Sequence, residues 1–327
     1  MVRAPNHLGD VVMALPGLVA DRSHVVVRSW LAPILEMAGM SERVLHLGPG
    51  PGGWARAVAA LRRARFQEGV LLAPSFSAAW LFRWGGVGTL RGTDTDGRGW
   101  MLTERIARAS LGGRHRVAQY RMLLGQPTDA ATPNPVLSPS RTLRDTWRRR
   151  LTGGGRAVGL FPGSNAPARR WPAEGFAAVA RALLAEGHRV MVLGGPGDAA
   201  VAAKVVASAP GTLDLAGKTD LPDLAALLSQ LDLLITNDTG PMHVAAAVGT
   251  CTVSVWGASD PAETSPPWEG HHLVTGPVLS CMPCRRNHCT RSGKGTMLPD
   301  AYEECLRLVD AGRVLAAAHR ILDGGRP

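Results

Sequence analysis

Three stretches of this sequence put phosphate-binding and acid–base side chains where a strand should hand over to a helix. The densest is Asn237-Asp238-Thr239-Gly240-Pro241-Met242-His243, which follows the apolar run Leu233-Leu234-Ile235-Thr236. A strand that ends there and turns straight into a helix leaves free N–H groups and the positive end of the helix dipole at Asp238, Thr239 and Gly240. That is a site for an anion, with His243 one turn further on. Capping of the helix by Asp238 or Thr239 is the competing use of the same residues. The second stretch, Pro162-Gly163-Ser164-Asn165-Ala166-Pro167-Ala168-Arg169-Arg170-Trp171-Pro172, follows Ala157-Val158-Gly159-Leu160-Phe161. Ser164, Asn165 and the loop amides can donate to phosphate oxygens, and Arg169 or Arg170 can neutralise them; two solvated surface arginines are the alternative. The third, Pro5-Asn6-His7-Leu8-Gly9-Asp10, runs into the apolar Val11-Val12-Met13-Ala14-Leu15. Asp10 is placed to act as a general base or, more simply, as an N-cap.

Weaker candidates accompany these. Gly194-Gly195-Pro196-Gly197-Asp198 is a glycine-rich turn after a strand, with Asp198 suited to a ribose hydroxyl. It matches neither G-x-x-x-x-G-K-[ST] nor G-x-G-x-x-G, which argues against a P-loop NTPase and a nicotinamide or flavin enzyme. Asp94-Thr95-Asp96 is a D-x-D in a glycine-rich loop. Cys281-Met282-Pro283-Cys284, with Cys289, Cys305 and nearby His288, has spacing that zinc tolerates, although the gap to Cys305 is long. Buried or paired thiols are the favoured reading, and no metal and no cofactor is expected.

The elements that position these groups follow from hydrophobic periodicity. Strands are expected at 24–28, 43–47, 69–73 and 87–91, with helices at 11–20, 31–38, 54–64 and 78–84 between them. A proline-rich linker over 125–140 leads to an interdomain helix at 141–151. The alternation then restarts, with strands at 157–161, 188–193, 213–215, 231–236 and 251–256 and helices at 173–186, 198–207, 221–230 and 239–248. This is an α/β chain of two Rossmann-like domains, 1–150 and 151–327, whose parallel sheets are expected to face a central cleft. The last helix is placed to pack back on the first domain.

Composition bounds the rest. The chain has 327 residues, 45% hydrophobic and 19% charged, a balance that excludes whole-chain disorder. The net charge of +10 is unevenly held: residues 1–155 carry 21 Lys/Arg and 10 Asp/Glu, whereas residues 156–327 carry 15 and 16. An arginine-rich half suits an anionic partner, whether nucleic acid, a phospholipid surface or a phosphorylated substrate. The start lacks a signal-peptide apolar run, no stretch is long enough to span a membrane, and the five cysteines do not read as a secreted framework. A cytoplasmic protein is expected.

Taken together, and in this order along the chain, the motifs P-N-H-L-G-D-V-V-M-A-L-P, P-G-S…A-R-R-W-P and T-N-D-T-G-P-M-H-V-A-A-A resemble the heptosyltransferases of glycosyltransferase family nine. The later Gly257…Asp260-Pro261…Thr264…Pro266 resembles the loop that follows them. Within that family the C-x-x-C tail is more similar to heptosyltransferase II. The resemblance implies a GT-B fold, with the acceptor held by the N-terminal domain and a nucleotide-sugar by the C-terminal one. It implies an inverting, metal-independent transfer of a sugar, heptose from ADP-heptose, to a lipopolysaccharide core or similar lipid-linked glycan. By resemblance Asp10 is the general base and Arg169, where the family usually has lysine, stabilises the departing diphosphate. Ser164, Asn165, Asp238, Thr239, Gly240 and His243 map to donor contacts, Asp198 to the ribose and Thr219 to the segment beside the base. A cytoplasmic enzyme with peripheral contact to an anionic inner membrane fits the basic half, and no nucleic-acid partner is implied. The alternatives are a relative using another nucleotide-sugar and a non-catalytic binder of anionic ligands. A GT-B epimerase shares the architecture, but its own motifs are not evident. Two departures stand out: only Met1–Ala4 precede the first turn, and Cys251 replaces a common proline.

Overall fold

In the computed structural model, which describes residues 1–128, 136–289 and 303–324, alternating strands and helices build two units, Met1–Ser138 and Pro139–Pro327. Residues 129–135 of the expected linker lie outside the described residues.

The first unit contains β1 (Val2–Arg3), α1 (Leu8–Asp21), β2 (Val25–Arg28), α2 (Ala32–Met37), β3 (Val44–Leu47), α3 (Gly50–Ala64), β4 (Glu68–Leu71), α4 (Phe76–Trp84), β5 (Thr89–Thr93), β6 (Glu104–Ile106), α5 (Arg108–Leu111) and α6 (Arg116–Leu123). All pairings are parallel, in the order β3-β2-β1-β4-β5-β6. Parallel strands covered by helices on both faces need apolar side chains throughout, which is why Val25, Val26 and Val27 are all buried. The short β1 is central: Val2 and Arg3 pair with both β2 and β4. Helices α3 and α4 bury Ala57, Val58, Leu61, Ala79, Leu81 and Phe82 in one core with Val26 and Leu71. Helix α1 packs on α2 and α6.

The second unit contains α7 (Arg141–Arg150), β7 (Ala157–Phe161), α8 (Ala173–Ala185), β8 (Arg189–Val192), α9 (Ala199–Ser208), β9 (Leu213–Asp214), α10 (Leu221–Leu228), β10 (Leu233–Asn237), α11 (Gly240–Ala247), β11 (Cys251–Trp256), α12 (Pro261–Thr264), β12 (His271–Thr275), α13 (Glu304–Arg307) and α14 (Ala311–Gly324). The sheet is again parallel, ordered β12-β11-β10-β7-β8-β9. Helix α7, expected as an interdomain helix, packs on α10, and its Trp147 indole donates to Asp223 Oδ1 at 2.7 Å. The last helix, α14, packs on α8 and on β10, β11 and β12, so these partners lie in the second sheet. No described helix is long and apolar enough to cross a membrane.

Strand β12 has a weak sequence signal because it opens with two histidines. Burial holds the His271 imidazole down to about 4, and the ring bonds the hydroxyl of Thr252 and, at 3.3 Å, that of Ser254. A neutral histidine satisfied by neighbouring hydroxyls can occupy a strand edge where a charged one cannot.

Candidate functional site

Each sheet reverses its direction of strand addition once, between β1 and β4 in the first unit and between β7 and β10 in the second. Loops at such a point diverge and leave a crevice at the carboxyl ends of the strands. The loop after β1 carries Asp10, and the loops after β7 and β10 carry Ser164, Arg169, Asp238 and Thr239.

In the first unit the turn after β1 is held from below by Arg3. Its buried guanidinium donates to Ala4 O at 2.6 Å, to Val26 O at 3.3 Å and to Asn6 Oδ1 at 2.7 Å. Burial lowers Arg3 to about 10, so it stays charged at neutral pH. Helix α1 begins after an N-cap at His7 that makes no side-chain capping bond, and Asp10 is its third residue. The N-cap alternative for Asp10 is therefore not realised. Instead Asp10 Oδ1 accepts from the Tyr120 hydroxyl at 2.8 Å. Tyr120 is buried on α6, and burial, then the Asp10 charge, push its phenol well above the ordinary tyrosine value. Arg116, one turn earlier, hydrogen-bonds the same phenol. A phenol that does not ionise is a permanent donor, so Tyr120 orients the carboxylate. Sequence reading missed Tyr120 because nothing local links positions 110 residues apart.

In the second unit the organising residue is Asn237, the fully buried last residue of β10. Its Nδ2 donates to Pro162 O at 2.7 Å, and its Oδ1 accepts from the Trp171 N–H at 2.9 Å. One amide thus pins both ends of the loop after β7. Within that loop, Ser164 Oγ accepts from the Ala166 N–H at 3.3 Å, and Arg170 Nε donates to Ser164 O at 2.7 Å. Arg170 therefore holds the loop, while Arg169 stands 3.4 Å from Asp238 Oδ2. Neither arginine is merely a solvated surface group. Thr239 is the N-cap of α11 but makes no side-chain capping bond. His243 is buried in that helix. The motif's N-terminal amides, its acid and Arg169 lie at one sheet edge, which suits a diphosphate bound under electrostatic control.

Asp198 turns inward: its Oδ2 accepts from the Gly195 N–H at 2.9 Å. A Cβ on Gly163 would lie 2.2 Å from that carboxylate, which explains the glycine in the loop after β7. Asn165 is exposed on the same loop, and Thr219 is half-buried before α10, whose N-cap is Asp220. The D-x-D carboxylates are engaged locally: Asp96 Oδ2 accepts from the Phe76 N–H at 2.6 Å, at the start of α4, and Asp94 packs against Gly99. The four late cysteines, Cys281, Cys284, Cys289 and Cys305, line one small cavity with Ala168 and Glu303. Burial pushes the Cys305 thiol up to about 11. Among the described residues no group of three or more His, Cys, Asp or Glu is arranged to hold a metal ion. The cysteine loop does brace the site, because Asn287 O accepts from the Ala168 N–H at 3.0 Å, next to Arg169.

Comparison with known proteins gives the family and the fold. The model of glycosyltransferase family 9 (heptosyltransferase) matches residues 54–294, well over half of the chain. Lipopolysaccharide heptosyltransferase 2 of Escherichia coli is 26% identical over 308 residues, covering 81% of this chain and 84% of the relative. Lipooligosaccharide heptosyltransferase 2 of Haemophilus influenzae is 24% identical over 299 residues, covering 81% and 85%. Among solved structures, E. coli ADP-heptose lps heptosyltransferase II superposes with a TM-score of 0.80 at 22% identity, covering 99% of this chain and 98% of that one. With two doubly wound sheets of the GT-B type and a family match of that extent, the chain belongs to glycosyltransferase family 9, the heptosyltransferases.

Proposed function

We propose that this enzyme transfers a heptosyl group from ADP-heptose to a hydroxyl of a lipopolysaccharide inner core or a comparable surface glycan, with inversion at the anomeric carbon. The donor diphosphate binds at the carboxyl edge of the second sheet, against the amides at the start of α11, Ser164 and Arg169. Asp198 offers its carboxylate to a ribose hydroxyl, and the loop around Thr219 flanks the base. The acceptor belongs to the basic first unit. Asp10 removes the proton from the acceptor hydroxyl as its oxygen attacks the anomeric carbon. The bond from that carbon to the diphosphate oxygen breaks, and ADP leaves with its electron pair. Arg169 exchanges Asp238 for the diphosphate and carries the charge that develops on it. The reaction takes place on the cytoplasmic side, where a lipid-linked acceptor presents its sugars.

The observation that carries this reading is the Arg169–Asp238 pair beside the start of α11, with no capping side chain from Thr239. Thermal-shift titration with ADP, GDP, UDP and ADP-heptose tests it. ADP and ADP-heptose are expected to stabilise the enzyme, by about 2.7 kcal/mol at a hundredfold excess over Kd, while GDP and UDP leave it unchanged. Stabilisation by UDP or GDP in preference to ADP would overturn the donor assignment.

A further inference from the structure

One surface of the first unit has no part in the transfer chemistry. Phe76, Trp80 and Trp84 recur at i, i+4 and i+8 on α4, so they form a stripe about 12 Å long on one helix face. Their rings contact in sequence, Phe76 stacked on Trp80 at 5.7 Å and Trp80 tilted against Trp84 at 5.7 Å, and Trp54 of α3 continues the row, tilted, at 5.8 Å from Trp84. The opposite face of α4 buries Ala79, Leu81 and Phe82 in the core. Trp80 and Trp54 pack partly against that core, while the two ends of the stripe reach solvent: Phe76 is 37% and Trp84 46% exposed. Trp100, 66% exposed, sits on the neighbouring Gly99–Met101 turn, which is tied to α4 by Arg83 Nε donating to Met101 O at 2.8 Å. Aromatic rings gathered in the open are costly in water unless something covers them.

The charge around the stripe says what covers it. Residues 48–90 hold five arginines and a single acid, Glu68. Arg62 Nε donates to Trp84 O at 2.8 Å, which fixes one arginine at the end of the row, and Arg63 and Arg65 are exposed beside it at the end of α3. A partner with an apolar interior and a negatively charged rim matches both features. Indole rings settle at the boundary between hydrocarbon and headgroups, and arginines reach past them to phosphates.

We propose that the α3–α4 aromatic row docks this enzyme on an anionic phospholipid bilayer. This rests on the lipid-linked acceptor of the proposed function and names the surface that brings the enzyme to it. Docking through rings and arginines explains how the acceptor side stays at a membrane although no described helix spans one.

Co-sedimentation of the full chain with phosphatidylcholine vesicles, and with phosphatidylcholine–phosphatidylglycerol vesicles, tests the proposal. The expected result is binding to the anionic vesicles that falls with salt, and little binding to the neutral ones. Phe76→Ser/Trp84→Ser should weaken binding about tenfold or more. Arg63→Ser/Arg65→Asn should weaken it about fivefold for each arginine removed. Both variants should bind ADP like the wild type and turn over a water-soluble acceptor fragment normally, which shows that they are folded. Equal binding to both vesicle types, or undiminished binding by both variants, would overturn the proposal. So would loss of turnover on the soluble fragment, which would make the row a sugar-stacking surface. Asp10→Asn, which tests the catalytic reading, should leave vesicle binding unchanged, so the two ideas fail separately.

Discussion

The two sheets share one strand order, each adding three strands on either side of a central switch point, yet they hold their chemistry in different ways. In the second unit the anion loops are locked by a residue from the motif itself. Asn237 ends β10, and its amide bonds both Pro162 and Trp171 across the adjacent strand β7. In the first unit the reactive carboxylate is locked by a residue from far along the chain, Tyr120 on α6, backed by Arg116. The proposed donor site is thus self-contained in two neighbouring loops, while the proposed base depends on how α6 packs on α1. A diphosphate needs several fixed dipoles, which strand ends supply cheaply. A base needs one carboxylate in one orientation, which a buried donor can set.

Substitutions probe that contrast, and the largest effect belongs to the base itself. Asp10→Asn keeps the shape and the Tyr120 contact but cannot take a proton. Turnover is expected to fall by about 10³-fold, with ADP affinity by calorimetry unchanged. Near-normal turnover would remove Asp10 as the base and dissolve the division of labour between the units. Next is Asn237→Ala, which strands the Pro162 carbonyl and the Trp171 N–H in a buried site. Urea denaturation should show a loss of about 3 kcal/mol, and a midpoint equal to wild type would mean the loop after β7 needs no pin. Arg169→Ala removes the charge at the diphosphate but no fold contact beyond Asp238. ADP binding should weaken by about 2 kcal/mol, or roughly thirtyfold, and unchanged affinity would move the anion site elsewhere.

Tyr120→Phe is the smallest and most discriminating change. It deletes the hydrogen bond to Asp10 Oδ1 while keeping the buried ring. The bond holds the carboxylate in one orientation, so its loss lets Asp10 turn away from the geometry that proton removal needs. At neutral pH kcat/KM should fall by about fivefold, about 1 kcal/mol. ADP affinity should not change, because the effect is confined to the first unit. An unchanged kcat/KM would reduce Tyr120 to a packing residue.

Much of this was legible in the sequence, for reasons that differ by element. Strand β7 and helix α8 could be read almost to the residue, because a fully apolar run and a 3.6-residue period bounded by Pro172 and Gly187 leave few alternatives. Strands β6 and β12 were not anticipated. Each lies at a sheet edge, where one neighbour is missing and polar residues such as Glu104 and His271 are tolerated. Strand β1 is only two residues long, and its central place depends on pairing with β2 and β4, which no local pattern encodes.

The sequence by itself determined the doubly wound architecture and the positions of the strand-end loops proposed to bind the diphosphate, since periodicity and strand-end motifs are local and repeat within a few residues. It also exposed the concentration of arginine in the first 155 residues. The tertiary structure alone decided which group fixes each site. Asn237 bridges two loops, Arg169 pairs with Asp238, Asp198 folds against Gly163, and Tyr120 reaches Asp10 from another helix. Those contacts join residues separated by dozens of positions. Their geometry comes from the packing of whole elements, and hydrogen-bond direction, unlike hydrophobic pattern, leaves no periodic trace in the chain.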